Sequence, residues 1–448
     1  MTASPLDSAV LRGHLGDEAA ARLFTDAAEL RAMMLFEGAL AEAQAELGVI
    51  PAEAGAAIAR AAREALIDPA ALAEGTAADG VSVPAFVTAF RAQLPEAAAP
   101  WLHFGATSQD VLDTALTLRL RAHLALIEER IGAILAALGP AAARWADLPM
   151  TARTRGQAAT PTTFGARVAI WGAPFLRARD RQRELAPRVI ALSFAGAAGT
   201  SAAYGREAAA LAEGVGRRLG LPVPDLPWHA ARDGLAELAA HLGILAGAAG
   251  KMGRDVLLLG QSEVGELRAG LGGGSSTMPQ KVNPVSAEAA VALARLCSRL
   301  SGAAQEAMLA DHERDGAAWT LEWLTLPQLC VGAVGALRHA QAMAETLAPD
   351  AARMAGTLAA TGGLAMAEAA AFRLAEVMPR PEASARVKTA ARRAASDGRP
   401  LADTLAEDLA GGPGAEIDWA EALDPANGVG RAPEIARRFA AMAAAGGG

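Results

Sequence analysis

The stretch Asp110-Val111-Leu112-Asp113-Thr114-Ala115-Leu116-Thr117-Leu118-Arg119-Leu120-Arg121-Ala122-His123-Leu124-Ala125-Leu126-Ile127-Glu128-Glu129-Arg130-Ile131-Gly132-Ala133-Ile134-Leu135 decides the fold class. Leu112, Leu116, Leu120, Leu124, Ile127, Ile131 and Leu135 recur three or four positions apart, the repeat of one helix face. No proline interrupts the run before Pro140, so the spacing predicts a helix of about eight turns. Similar patterns run from Gly165 to Leu185, Glu237 to Leu259, Pro284 to Leu309 and, after an irregular break around Gly316, Leu324 to Leu347. Five such helices predict an all-α fold built on a long-helix bundle. Alanine on several of their faces predicts helix against helix on more than one side, including between subunits, and so a homo-oligomer.

Outward from these helices the pattern shortens. Residues 20–100 read as helices with breaks, among them Thr25 to Leu47, and end at the proline-marked boundary Pro95 to Pro100. After Pro349 come shorter helices with arginine-rich faces and a break at Gly411 to Gly414. The reading gives three domains, 1–100, 101–347 and 348–448.

With 52% hydrophobic and 20% charged residues in 448, the chain can bury a large core, and wholesale disorder is excluded. Aromatics make up only 4%, which favours closely packed helices over a β-rich fold. A net charge of −8 argues against nucleic acid or an anionic membrane as partner, and leaves a small anion held by a local basic cluster. Uncharged stretches such as Val189 to Gly205 are short and none resembles a membrane span. Met1 to Leu15 lacks the marks of a secretory signal, so a cytoplasmic protein is expected. Cys297 and Cys330 lie in apolar helical contexts and read as buried thiols. No His, Asp or Glu set recurs at metal-ligand spacing, and neither a metal nor a cofactor is expected.

Four polar islands interrupt the helices, where loops on a rigid scaffold carry chemistry. The first is Gly272-Gly273-Gly274-Ser275-Ser276-Thr277-Met278-Pro279-Gln280-Lys281-Val282-Asn283-Pro284. Its glycines permit unusual backbone angles, the Ser-Ser-Thr run offers hydroxyls, and Lys281 adds a positive charge. Asn283 reads as the cap and Pro284 as the first residue of the next helix. The second, Trp101-Leu102-His103-Phe104-Gly105-Ala106-Thr107-Ser108-Gln109-Asp110, puts hydroxyls and free N–H groups at a helix start, a ready site for a carboxylate. The third is Thr151-Ala152-Arg153-Thr154-Arg155-Gly156-Gln157-Ala158, and the fourth is Asp311-His312-Glu313-Arg314-Asp315-Gly316 continuing to Trp319, Glu322 and Trp323. Read alone, the fourth is a solvated turn with anchoring tryptophans.

The first island resembles the fumarase/aspartase superfamily signature G-S-S-x-M-P-x-K-x-N-P at every defined position, and the second resembles that superfamily's H-x-G-x-T-S-x-D. The resemblance implies a three-domain helical fold, a homotetramer with active sites built from three subunits, and Thr107 and Ser108 at substrate-binding positions. It also implies that Ser275 handles the proton on a carbon beside a substrate carboxylate. Adenylosuccinate and argininosuccinate lyases carry a proton-transferring histidine in the third island, where this chain has Arg155. Arginine does not release its proton near neutral pH, so that histidine's role has no bearer here. The fourth island is instead similar to bacterial 3-carboxy-cis,cis-muconate cycloisomerases, as are Phe194 to Thr200 and Pro227 to Asp233. The resemblance weakens in the C-terminal domain.

A cycloisomerase fits the missing histidine. Its nucleophile is one of the substrate's own carboxylates, ionised at neutral pH with a free pKa of about 4, and it needs no general base. The resemblance therefore implies a small tricarboxylate substrate, with Ser275 catalytic. His103, Thr107, Ser108, Arg155, Gln157, Ser276, Lys281, Asn283 and Arg314 are the candidates for holding the substrate's charge. The rival readings are a superfamily lyase that eliminates fumarate, with adenylosuccinate lyase foremost, and a scaffold that has lost catalysis. The intact signature loop argues against the second, and Arg155 against the first.

Overall fold

The computed structural model describes residues 4–274 and 277–445. Each of the five long helices is present. In chain order the elements used below are α1 (Asp26–Glu46), α2 (Ala52–Glu64), α3 (Ser108–Arg144), β1 (Pro149–Thr154), β2 (Gln157–Thr163), α4 (Phe164–Val189) and α5 (Asp233–Leu259). They continue with β3 (Leu267–Arg268), β4 (Gly273–Gly274), β5 (Val282–Asn283), α6 (Val285–Glu306), α7 (Gly316–Glu345) and β6 (Ala348–Pro349). Antiparallel pairs β1–β2, β3–β6 and β4–β5 are the sheets formed by the described residues, so helix dominates as the composition predicts.

Packing groups the chain into two units. The first gathers Met1–Arg130, Ala178–Gly247 and Ala292–Arg338, and the second Ile131–Arg177, Ala248–Val291 and His339–Gly448. In the first unit, α1 starts where Thr25 accepts a bond from the Ala28 amide. It meets α2 at very short range, and a Cβ added at Gly55 would lie 2.5 Å from that of Ala45 and 2.8 Å from the Ala41 carbonyl oxygen. Only glycine permits that approach, which is what the alanine- and glycine-rich faces are for. Phe36, Leu40, Ile58, Phe86 and Phe90 are almost wholly buried in this core together with Val111 and Leu112 of α3. A fully buried side chain of this size contributes about 1.5–3 kcal/mol. The second unit has a core of its own from Met366 to Leu423, with Leu374, Leu401, Leu405 and Trp419 inside.

Several boundaries differ from the sequence expectation. Helix α3 begins at Ser108 and runs through Pro140 to Arg144. Helix α7 begins at Gly316 and not at Leu324, because Asp315 accepts bonds from the Ala317 and Ala318 amides and caps it. Trp319, Glu322 and Trp323 are therefore helical residues. Asn283 is not a helix cap: it pairs with Gly273 in β4–β5, Pro284 precedes the helix, and α6 opens at Val285. The same helix α7 is long and apolar enough to cross a membrane, contrary to the reading that no stretch resembles a span, but 67% of its apolar window is buried. That burial spends its apolar face on protein packing. Cys297 and Cys330 are both buried and free.

Candidate active site

The start of α3 is held from below by its own first acidic residue. Buried Asp110 accepts bonds from the amides of Thr107 at 3.2 Å, Ala195 at 2.8 Å and Gly196 at 3.1 Å. Burial pushes its carboxyl up to about 6 against the pull of those backbone donors. The turn Trp101–Thr107 is thereby locked onto segment 194–196, and the first N–H groups of α3 keep no intrahelical acceptor. Ser108 is half-buried at this end, as Thr107 is.

Arg314 closes the same end. Its Nε donates to Gln109 Oε1 at 2.9 Å and its Nη2 to Thr107 Oγ1 at 3.3 Å. Gln109 in turn donates to the His229 carbonyl at 2.7 Å and to Asp113 at 3.1 Å. Behind it lies a buried ionic sandwich in which Arg232 grips Asp113 at 2.7 and 3.1 Å and Glu322 at 2.8 and 2.5 Å. Burial pushes the Glu322 carboxyl up although Arg232 pulls it down. The Arg232 guanidinium also lies 4.8 Å from the Trp228 ring centre. His229 packs into the space left by Gly199, where a Cβ would lie 2.2 Å from its ring, and burial and then Arg314 push its imidazole below the ordinary value.

His103 sits on the turn before the helix with Nδ1 2.6 Å from Oε1 of Glu37, whose side chain is fully buried. Burial opposes the imidazolium, yet the Glu37 charge and hydrogen bond outweigh it, and the net shift is upward. Thus Thr107, Ser108, His103 and Arg314 are brought together around one helix end in the first unit.

The remaining candidates belong to the second unit. Arg155 and Gly156 form the two-residue turn of the β1–β2 hairpin, both with positive φ, as a type I′ turn requires. Gln157 opens β2 beside them, and Arg155 and Gln157 are exposed. Arg153 on β1 is tied to buried Glu266 by two bonds of 2.9 Å. The signature loop rises from β4 and β5, where Gly273 pairs with Asn283 and Gly274 with Val282. Its base is fixed by the Gly270 amide on Thr346 at 2.6 Å and the Leu271 amide on Ser286 Oγ at 2.9 Å. Lys281 is exposed and Asn283 half-buried. Ser275 and Ser276 lie outside the described residues.

Two patterns distinguish these segments, each within its own unit. Among the described residues, His103, Arg155, Ser201 and His312 are the non-glycine residues with positive φ, and three of them sit in the polar islands. Such backbone angles are costly and collect where function fixes them. Arg155, Lys281 and Arg314 also form no ion pair among the described residues, whereas neighbouring Arg153 and Arg232 are neutralised by Glu266, Asp113 and Glu322. The structure thus separates cations that hold the scaffold from exposed cations available to an anion. Sequence reading missed Glu37, Asp113, Arg232 and Glu322 as site residues. Glu37 had a signal, since it lies four residues after Met33 and three before Leu40 on the buried stripe of α1.

Residues 13–302 match the family described as lyase, and residues 363–439 match the adenylosuccinate lyase C-terminus, so the resemblance reaches the domain where the sequence showed it weakening. The chain is 43% identical over 419 residues to a 3-carboxy-cis,cis-muconate cycloisomerase of Pseudomonas aeruginosa, covering 92% of this chain and 91% of that one. It is also 43% identical to the enzyme of that name from Bradyrhizobium diazoefficiens, covering 86% of each chain. Among solved structures it resembles the 3-carboxy-cis,cis-muconate lactonizing enzyme of Pseudomonas putida, with a TM-score of 0.92, 37% identity, and coverage of 98% of this chain and 99% of that one.

Proposed function

Because the chain belongs to the lyase family of the fumarase/aspartase superfamily, we propose that it catalyses the reversible intramolecular lactonisation of 3-carboxy-cis,cis-muconate to 4-carboxymuconolactone, a step in aromatic catabolism through protocatechuate. The observation that carries this reading is Arg155, exposed and without an ion pair among the described residues, at the position where a lyase would need a proton-transferring histidine, with Lys281 and Arg314 likewise exposed and without an ion pair among the described residues. A tricarboxylate needs several fixed charges, and a carboxylate nucleophile already ionised at neutral pH needs no base.

In this reading one substrate carboxylate lies against the start of α3, on Thr107, Ser108 and Arg314. Arg155 and Gln157 hold a second, and Lys281 and Asn283 support negative charge as it builds next to the reacting carbon. Ser276 adds a hydroxyl or amide to that binding. The substrate carboxylate attacks the ring-closing carbon, and Ser275 delivers a proton to the adjacent carbon. In reverse it removes that proton. Attack within one molecule avoids most of the entropy of a bimolecular step.

The homotetramer, with active sites built from three subunits, belongs to the same proposal. It is supported by the large apolar side chains that the long helices leave exposed, among them Ile170, Ile244, Leu258, Leu296, Trp323 and Leu324. So do a cytoplasmic location and the division into domains 1–100, 101–347 and 348–448.

The test is a pair of variants assayed on 3-carboxy-cis,cis-muconate. Ser275→Ala is expected to lower kcat by about 100-fold or more, in the range of a lost proton-transfer group. Arg155→His is expected to raise KM without raising kcat. Near-wild-type turnover of the first, or an unchanged KM of the second, contradicts the assigned roles.

A further inference from the structure

Helix α1 is apolar along its buried stripe except at Glu37 and Gln44, two wholly buried polar side chains seven residues apart and so on one face. Both reach the turn that leads into α3. Gln44 Nε2 donates to the Phe104 carbonyl at 2.7 Å, and Glu37 Oε1 meets His103 Nδ1 at 2.6 Å. Beneath the turn, Gly105 has a φ of 79°, and a Cβ there would lie 2.7 Å from the ring of Tyr204. Tyr204 is stacked on Phe194 at 4.5 Å. The turn is thus clamped from two sides, and His103 is held with its own φ at 62°.

Burying a carboxylate in an apolar core is expensive unless a cation answers it. Among the described residues, Oε2 of Glu37 has no hydrogen-bond partner and the one group on Oε1 is the imidazole. The bond consumes Nδ1–H and fixes the ring's orientation, leaving Nε2 without a hydrogen bond to any described residue. A packing role alone is met better by a leucine or methionine at position 37.

We propose that Glu37 is a positioning residue for substrate binding: it holds His103 as an imidazolium whose Nε2–H is offered to a substrate carboxylate beside Thr107 and Ser108. This rests on the function proposed above and deepens it by adding a fourth cation, reached through a residue of the first eighty. The charged groups facing His103 are Glu37 on α1, Asp110 on α3 and Arg91 of the helix Val83–Arg91. The two carboxyl groups favour the imidazolium and Arg91 opposes it. Arg91 donates to the Ala99 and Leu102 carbonyls, so its charge is directed at backbone.

Glu37→Gln keeps the shape and an acceptor oxygen but removes the charge. With 3-carboxy-cis,cis-muconate as substrate, KM and kcat are measured from pH 6 to 9 for the wild type, Glu37→Gln and Glu37→Asp. The ring carbon-13 titration of His103 is followed separately, its resonance assigned by loss in His103→Asn. In the wild type KM is expected to rise as pH increases through the His103 transition. In Glu37→Gln that transition moves down by about one pH unit in both measurements, and KM at pH 8 rises about tenfold against a change in kcat of less than about threefold. Glu37→Asp restores part of the shift. An unmoved ring titration in Glu37→Gln, or equal losses in kcat with no change in the pH midpoint, overturns the proposal. A wild type that ignores this substrate while the ring titration shifts as stated overturns the assigned reaction, and keeps the pair as the holder of the imidazolium.

Discussion

Arg153 and Glu266 share two parallel hydrogen bonds of 2.9 Å, with the glutamate fully buried and the arginine about a quarter exposed. Through this fork β1, and with it the Arg155 turn, is tied to the segment that enters β3. The pair is a fixed strut and not a free charge, whereas Arg155, two residues on, forms no ion pair among the described residues. Glu266→Ala leaves a guanidinium without its partner and is expected to cost about 3 kcal/mol of stability, read by urea denaturation. A loss below about 1 kcal/mol removes the strut from the account.

The Arg232 sandwich is a larger commitment. Replacing this buried cation with methionine exposes Asp113 and Glu322 to each other without compensation, and the expected loss is about 3–5 kcal/mol. Adding Asp113→Asn to Arg232→Met should recover part of that loss, because residues in one network are not additive. Additive losses in a double-mutant cycle show that the three groups do not act together.

Tyr204 gives a prediction of opposite sign. Its hydroxyl is buried with no hydrogen-bond partner among the described residues, and burial, with the nearby Asp110 and Glu37 carboxylates, pushes it well above the ordinary phenol range. Tyr204→Phe keeps the stack on Phe194 and removes the unsatisfied group, so it should stabilise the protein by about 1 kcal/mol. Gly105→Ala, facing the same ring with a φ of 79°, should destabilise it by about 2–4 kcal/mol. Thermal unfolding of the two variants checks both signs at once.

Asp110 sets a pH dependence of stability. Its folded-state value of about 6 exceeds the unfolded value of about 3.9, so its contribution is complete below pH 4 and is lost as pH rises through 6. The loss is about 3 kcal/mol by pH 7.5. Asp110→Asn removes this titration and should flatten the corresponding part of the profile, measured by urea denaturation from pH 4 to 7.5. An unchanged slope in the variant assigns the dependence to other groups.

The fold was legible because seven apolar residues at three- and four-residue spacing leave a long helix little choice, and the same held for the other four. Helix starts were less legible: Asp315 caps α7 from within a charged run that reads equally well as a solvated turn. The hairpin at Arg155 was hidden because a two-residue turn with arginine at positive φ lacks the usual Asn-Gly or Asp-Gly signal. Its flanking threonines, Thr151, Thr154, Thr160 and Thr162, were the trace of strand in the sequence. The loop residues proposed to hold the substrate were legible as candidates because they stand in short, chemically dense motifs. Arg232 and Glu322 were quoted within such motifs, but that they meet Asp113 is a product of three distant segments, and no local pattern encodes it.

Purified protein incubated separately with 3-carboxy-cis,cis-muconate, adenylosuccinate and argininosuccinate, and followed by ultraviolet absorbance, distinguishes lactonisation from fumarate elimination. Loss of the conjugated diene of the first compound is expected, with the other two untouched. Release of fumarate from either succinate derivative, with the muconate unchanged, would contradict it.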